Sequence, residues 1–345
     1  MNAWVPPRAV RRVIVDPLWI PLSLLLAVLI AIIDLLGLLL APITPPARLP
    51  RVCTLALAYL GLDLALLLAA FGLWLRHPSP RRDAEHWQVV HCRLLHWALA
   101  RLLRAAQRLT GFQVIIEPDA RPPYSDGPLI VLARHGGPGD SVALIDLLVA
   151  ELHRRPRVVL KRALQWDPGV DVVLTRLAGC FIPSRSGAGD DQRQALAALA
   201  AGLGPHEALL LFPEGGNWTP RRHRGAVRHL LRTGRRRAAR AADRHDNVLP
   251  PRPAGTVACL LARPDADVLV VAHAGLDTLV TPAQIWQALP VHGRPMRVRW
   301  WLCRAADVPR EPAAAEQWLQ AQWDEVDVQV TALRGPAPPS AARGK

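Results

Sequence analysis

The segment Arg134-His135-Gly136-Gly137-Pro138-Gly139-Asp140 sets a histidine and an aspartate with four residues between them, on a loop rich in glycine. An imidazole titrates near neutrality, and a carboxylate beside it fixes its tautomer, so His135 and Asp140 suit general-base chemistry. A histidine with an aspartate five positions on is common by chance, so the pair alone is a weak motif. It gains weight from Phe212-Pro213-Glu214-Gly215-Gly216-Asn217, about eighty residues later. Gly136, Gly137 and Gly139 let the backbone approach a substrate, and their N–H groups are expected to support an oxyanion. A plainer role for Asp140 is to cap a helix starting at Ser141.

Both blocks need elements to hold them. Short apolar runs at 112–117, 129–133, 157–160, 208–212, 268–272 and 296–303 read as strands. Longer patterned stretches at 141–153, 191–201, 226–242 and 282–288 read as helices. This alternation predicts an α/β domain over 111–305 with a mixed, largely parallel sheet flanked by helices. Sites in such sheets lie beyond the carboxyl ends of strands, where His135 and Glu214 both fall, so the two blocks are expected to converge. Residues 306–345 read as one helix, at 311–333, followed by a proline-rich tail too polar to pack.

Residues 1–80 have a different character. Apolar runs at 18–41 and 52–75 are each interrupted by one charge, Asp34 and Asp63, and each is long enough to cross the ~30 Å hydrocarbon core of a bilayer. Four prolines between them predict a helical hairpin, spanning the bilayer or lying in one leaflet. Arg8, Arg11 and Arg12 before the hairpin, with Arg76, Arg81 and Arg82 after it, put both ends on the cytoplasmic face of a bacterial inner (plasma) membrane. Residues 81–110 read as an amphipathic helix along the interface. The five cysteines show no CxxC spacing and read as reduced, structural thiols with no metal site. A formal net charge of +14 favours anionic partners, membrane lipids among them. Nucleic acid is not expected, because stacking platforms are lacking.

In these blocks the chain resembles the glycerolipid acyltransferase family typified by 1-acyl-glycerol-3-phosphate acyltransferase. Its ordered motifs are matched by His135–Asp140, Gly179-Cys180-Phe181-Ile182-Pro183-Ser184-Arg185, Phe212-Pro213-Glu214-Gly215, and a fourth block at 249–255 that contains Arg252. The resemblance implies a membrane-bound O-acyltransferase of phospholipid synthesis. His135 would deprotonate a lysophospholipid hydroxyl, which attacks the thioester of acyl-CoA or an acyl carrier protein, with no metal or organic cofactor. The sequence contains no Gly-x-Ser-x-Gly elbow, which favours direct transfer over an acyl-enzyme. By resemblance Arg185 contacts the acceptor phosphate, Glu214 and Gly215 belong to the substrate site, and Arg252 meets the thioester carrier or supports the fold. The Thr-Arg that usually follows the third block is Gly216-Asn217 here, so Arg221 and Arg222 are either replacements or part of a solvated basic turn. Rival readings are another lysophospholipid or a glycolipid as acceptor, and a non-catalytic lipid-binding scaffold. Arg134 and Lys161 are cations near strand ends that equally suit the surface. His273 reads as a buried strand-end histidine, and the run 232–240 either touches anionic lipid or is solvated.

Overall fold

The computed structural model describes residues 4–40, 48–76, 84–118, 127–137, 139–177, 179–182, 189–277, 279, 281–291 and 293–334. The strands are β1 (Val114–Ile116), β2 (Leu129–Ala133), β3 (Arg155–Lys161), β4 (Cys180–Ile182), β5 (Glu207–Leu211), β6 (Asp267–Ala274) and β7 (Met296–Cys303). They form one sheet in the order β1-β7-β6-β2-β5-β3-β4. All neighbours are parallel except β6 and β7, so the sheet is mixed and largely parallel, as expected.

Helices cover both faces. They are α1 (Arg8–Val10), α2 (Asp16–Leu40), α3 (Arg48–Arg76), α4 (Ala84–Thr110), α5 (Asp140–Ala150), α6 (Pro168–Arg176), α7 (Gly189–Ala201), α8 (Pro220–Arg232), α9 (Arg236–Asp243), α10 (Pro253–Ala262), α11 (Pro282–Ala288) and α12 (Pro312–Arg334). Because both faces are covered, the central strands are apolar at successive positions, and every residue of β2 and β5 is buried. Alternate side chains of β2 serve separate cores. Leu129, Val131 and Ala133 pack with Ala143, Leu144 and Leu148 of α5, whereas Ile130 and Leu132 pack with Leu319 and Trp323 of α12. The C-terminal helix expected at 311–333 is therefore present and integral to the α/β core; the tail after it lies outside the described residues.

Besides the single turn of α1, two helices were not anticipated, α6 and α10. Each starts with proline at its first turn, a position where the missing N–H is harmless. The helix expected at 226–242 is two, because Gly234 adopts φ 75° between α8 and α9.

The N-terminal hairpin consists of α2 and α3, both long and apolar enough to cross a membrane. Asp34 and Asp63 do not face each other. Asp34 accepts from Thr54 Oγ1 of the partner helix at 3.1 Å. Asp63, 3% exposed, accepts from Trp19 Nε1 at 2.6 Å and from the Gly169 N–H, in the first turn of α6, at 2.9 Å. Nearby, Arg11 and Arg12 pair with Asp171, and Arg176 donates to the Ala70 carbonyl. The hairpin is thus docked on the α/β domain by its own buried carboxylate. A Cβ on Gly169 would lie 2.0 Å from Asp63 Oδ1. Gly169→Ala is therefore expected to cost roughly 2 kcal/mol, read as a lowered Tm in detergent.

α4 also departs from the interfacial reading. Its Cys92, Leu95 and Ala98 are buried in the core that includes α5, and His91, fully buried, accepts from Arg176 at 2.9 Å. The apolar face of this amphipathic helix is covered by the protein itself, because α3, α5 and α6 pack around it.

Candidate active site

The site lies over the carboxyl ends of β6, β2 and β5, the three central strands, as expected for an open α/β sheet. His135 is two residues beyond β2, Glu214 three beyond β5, and Asp277 three beyond β6.

His135 Nδ1 and Asp140 Oδ2 are 2.8 Å apart. The imidazole stacks obliquely on Phe212 with ring centroids 4.8 Å apart, and the Trp218 N–H donates to the His135 carbonyl at 2.9 Å. Among the described residues Nε2 has no hydrogen-bond partner, so it is the ring nitrogen left for a substrate. Asp140 is buried in the first turn of α5, where the helix dipole favours a negative charge. Burial alone would raise its pKa. The His135 hydrogen bond and charge, His273 and the Gly137 N–H together bring it below the ordinary carboxylate value.

Two of the three glycine N–H groups do not serve as expected. Those of Gly136 and Gly137 donate to Asp140 Oδ2 at 2.9 and 3.2 Å, which turns them towards the carboxylate and away from an oxyanion. Gly137 is also needed for close approach, since a Cβ there would lie 2.4 Å from the Leu276 carbonyl oxygen. Gly139, with φ 90°, is the turn residue that starts α5.

Glu214 is likewise not at the substrate surface. It is 1% exposed and accepts from the backbone N–H groups of His135 at 3.4 Å and Leu249 at 3.2 Å. It ties the histidine loop, its own block and the fourth block together. Burial pushes its pKa up to about 8, against the pull of Arg134 and the two N–H groups. A carboxyl that holds its proton more tightly when folded contributes stability fully below the unfolded value and loses it as pH rises through the folded one. Stability should therefore fall between about pH 4.5 and about pH 8. Glu214→Gln, a neutral isostere, is expected to flatten that slope in denaturation midpoints measured across the range.

Of the arginines, Arg222 and Arg252 flank the loop beside the dyad. A Cβ on Gly215, which has φ 67°, would lie 3.2 Å from the Arg252 side chain, and one on Gly216 would lie 3.3 Å from Arg222 Nη1. Both arginines are exposed. Arg221 leaves this loop for the other side of α8, so the two neighbours do not act at one place. Arg185 lies outside the described residues.

Sequence reading missed a polar layer beneath the dyad. Arg134 is 0% exposed, not a surface cation. It pairs with Asp277 and donates to the carbonyls of His273 at 2.7 Å and Asn247 at 2.9 Å. His273, fully buried as expected, donates through Nε2 to the Arg134 carbonyl at 2.9 Å and lies 3.9 Å from Asp140 Oδ2. Burial and Arg134 hold its pKa below the usual value, so it is a neutral spacer. Asp277, despite its burial, is drawn below the ordinary carboxylate value by Arg134 and Arg334. Arg334, the last residue of α12, reaches Asp277 at 3.5 Å and bonds Asn247 Oδ1. The only hint in the sequence was that Arg134 directly follows a wholly apolar strand.

Comparison with known proteins follows the same lines. A family model described as Acyltransferase matches residues 113–251. The crystal structure of the 1-acyl-sn-glycerophosphate (LPA) acyltransferase PlsC from Thermotoga maritima is similar with a TM-score of 0.50 and 17% identity, covering 81% of this chain and 97% of that chain. At that identity the likeness is one of fold. No curated protein sequence matches the chain significantly.

Proposed function

We propose that this chain, whose residues 113–251 match a family model described as Acyltransferase, moves a fatty acyl group from a thioester to the free hydroxyl of a lysophospholipid, with 1-acyl-glycerol-3-phosphate as the acceptor. The donor is acyl-CoA or an acyl carrier protein thioester, used as co-substrate without metal or organic cofactor. The observation that carries this reading is the 2.8 Å contact between His135 Nδ1 and buried Asp140, with Nε2 left for the hydroxyl.

In the proposed reaction Nε2 takes the hydroxyl proton as the oxygen attacks the thioester carbonyl. Asp140 holds the Nδ1–H tautomer and stabilises the imidazolium that forms. Collapse of the tetrahedral adduct breaks the C–S bond, and the imidazolium returns its proton to the departing thiolate. The products are the diacylated lipid and the free thiol. The Gly136 and Gly137 N–H groups act through Asp140, by fixing its oxygens.

Arg222 and Arg252, on either side of Gly215-Gly216, are proposed to hold the acceptor phosphate, for which the guanidinium fork is well shaped. The apolar hairpin is proposed to keep the enzyme on the cytoplasmic face of the bacterial inner membrane, where its lipid acceptor lies.

The test is thiol release from a long-chain acyl-CoA in detergent micelles, with and without lysophosphatidate. Release that depends on the acceptor is expected; acceptor-independent release, or none with any lysolipid, overturns the proposal. Arg252→Gln should raise KM for lysophosphatidate about tenfold with little change in kcat, as loss of one charge-assisted contact predicts. An unchanged KM would point instead to a glycolipid or a lysolipid without a terminal phosphate.

A further inference from the structure

α8 carries a second cationic face that the proposed acceptor site does not use. With about 100° per residue, Arg221, Arg224, Arg228 and Arg232 fall within a sector of about 80°, while Arg222 is turned away from them towards Gly216. Arg221, Arg224 and Arg228 line a groove of about 440 Å³ between α8 and α9, together with Val227 and Asp243. Among the described residues these arginines form no ion pair. The Arg224 and Arg228 Nε atoms bond only backbone carbonyls of their own helix, of Pro220 at 3.2 Å and Arg224 at 3.3 Å. A single carboxylate, Asp243, faces three guanidinium groups across the groove. Like charges at this spacing repel, so the arrangement is one that an anion would relieve.

The position of the stripe identifies the anion. α8 is capped by Thr219, next to Trp218, whose N–H holds the His135 carbonyl at 2.9 Å. From there the four arginines run outward over eleven residues, a rise of about 16 Å. α8 itself begins at the loop that holds His135, and the stripe runs from its first turn to its far end, matching a substrate with its reactive carbonyl at one end and phosphates at the other. Coenzyme A thioesters have that form. We propose that this face of α8 binds the adenosine 3′-phosphate 5′-diphosphate end of an acyl-CoA donor, an inference that rests on the acyltransferase reading. It selects the small phosphorylated carrier over a protein-borne thioester.

The experiment compares wild type with the R224Q/R228Q double variant in detergent micelles, both substituted positions being solvent-exposed. KM for palmitoyl-CoA is expected to rise at least about tenfold, with kcat and the acceptor KM unchanged, as loss of two charge-assisted contacts implies. Adenosine 3′,5′-bisphosphate should compete with palmitoyl-CoA in wild type and lose that effect in the variant. An unchanged donor KM overturns the proposal; if the variant then also loses binding to phosphatidylglycerol vesicles, the stripe is a lipid-surface contact instead. Calorimetric titration with adenosine 3′,5′-bisphosphate separates this idea from the parent reading. Binding by wild type and not by the variant supports the stripe even where no acyl transfer is seen, and absence of binding to wild type overturns it.

Discussion

His135→Ala is expected to lower acceptor-dependent thiol release by about a thousandfold, within the range that a positioned general base contributes. The loss should lie in kcat, because the imidazole acts on the hydroxyl during bond formation and donor and acceptor are held elsewhere. The substitution should leave the fold intact. Without the ring, Asp140 still accepts from the N–H groups of Gly136, Gly137 and Ser141, so the buried carboxylate keeps donors. Thiol release measured beside a thermal melt separates the two effects. A variant with wild-type Tm and wild-type rate would sink the mechanism. Asp140→Asn provides the companion measurement: an amide facing Nδ1 removes the charge that stabilises the imidazolium, and a loss of similar order is expected.

The second large effect concerns stability. Arg134→Met removes a buried cation and leaves Asp277 as a buried carboxylate whose remaining ion pair is to Arg334, together with the His273 and Asn247 carbonyls that Arg134 satisfied. Breaking a buried pair on one side typically costs about 3–5 kcal/mol, and that is the expected loss in denaturant unfolding. Arg334→Ala reaches the same carboxylate from a side chain 37% exposed, so its cost should be about 1 kcal/mol or less. The pair should be non-additive, since both arginines bear on Asp277. If Arg134→Met proves neutral, the polar layer is not what holds the 273–277 turn beneath Gly136 and Gly137.

Much of this was legible because local chemistry spoke for it. β2 and β7 and the short helix α11 follow from apolar runs bounded by turn residues. The dyad followed from residue type, and its convergence with Glu214 from the rule that sites gather beyond strand ends. Other features were hidden by particular residues. Asp167-Pro168-Gly169 looks like a turn, yet Asp167 caps α6 by accepting from the Val170 N–H, and the proline begins the helix. Pro253 concealed α10 in the same way. β4 is three residues long and leaves no periodic signal. The directions of the Gly136 and Gly137 N–H groups depend on where Asp140 sits, which glycine content does not encode. The Arg134–His273 contact joins residues 139 apart in sequence, and only the adjacency of β2 and β6 brings them together.

The docking of Asp63 on Gly169 bears on how the protein is made. The two groups are 106 residues apart, so the hairpin is synthesised well before its partner. Without α6, the Asp63 carboxylate keeps the Trp19 Nε1–H as a donor and lacks the Gly169 N–H. Completion of the α/β domain then brings that carboxylate to the Gly169 N–H, so docking of the hairpin and folding of α6 are coupled. Cutting away the first eighty or so residues would consequently not release a tidy soluble enzyme. It would expose the face of α6, strip the Gly169 N–H of its acceptor and leave Arg176 without the Ala70 carbonyl. The hairpin is thus a structural part of the α/β domain's own packing, tied to it by Asp63 and Arg176.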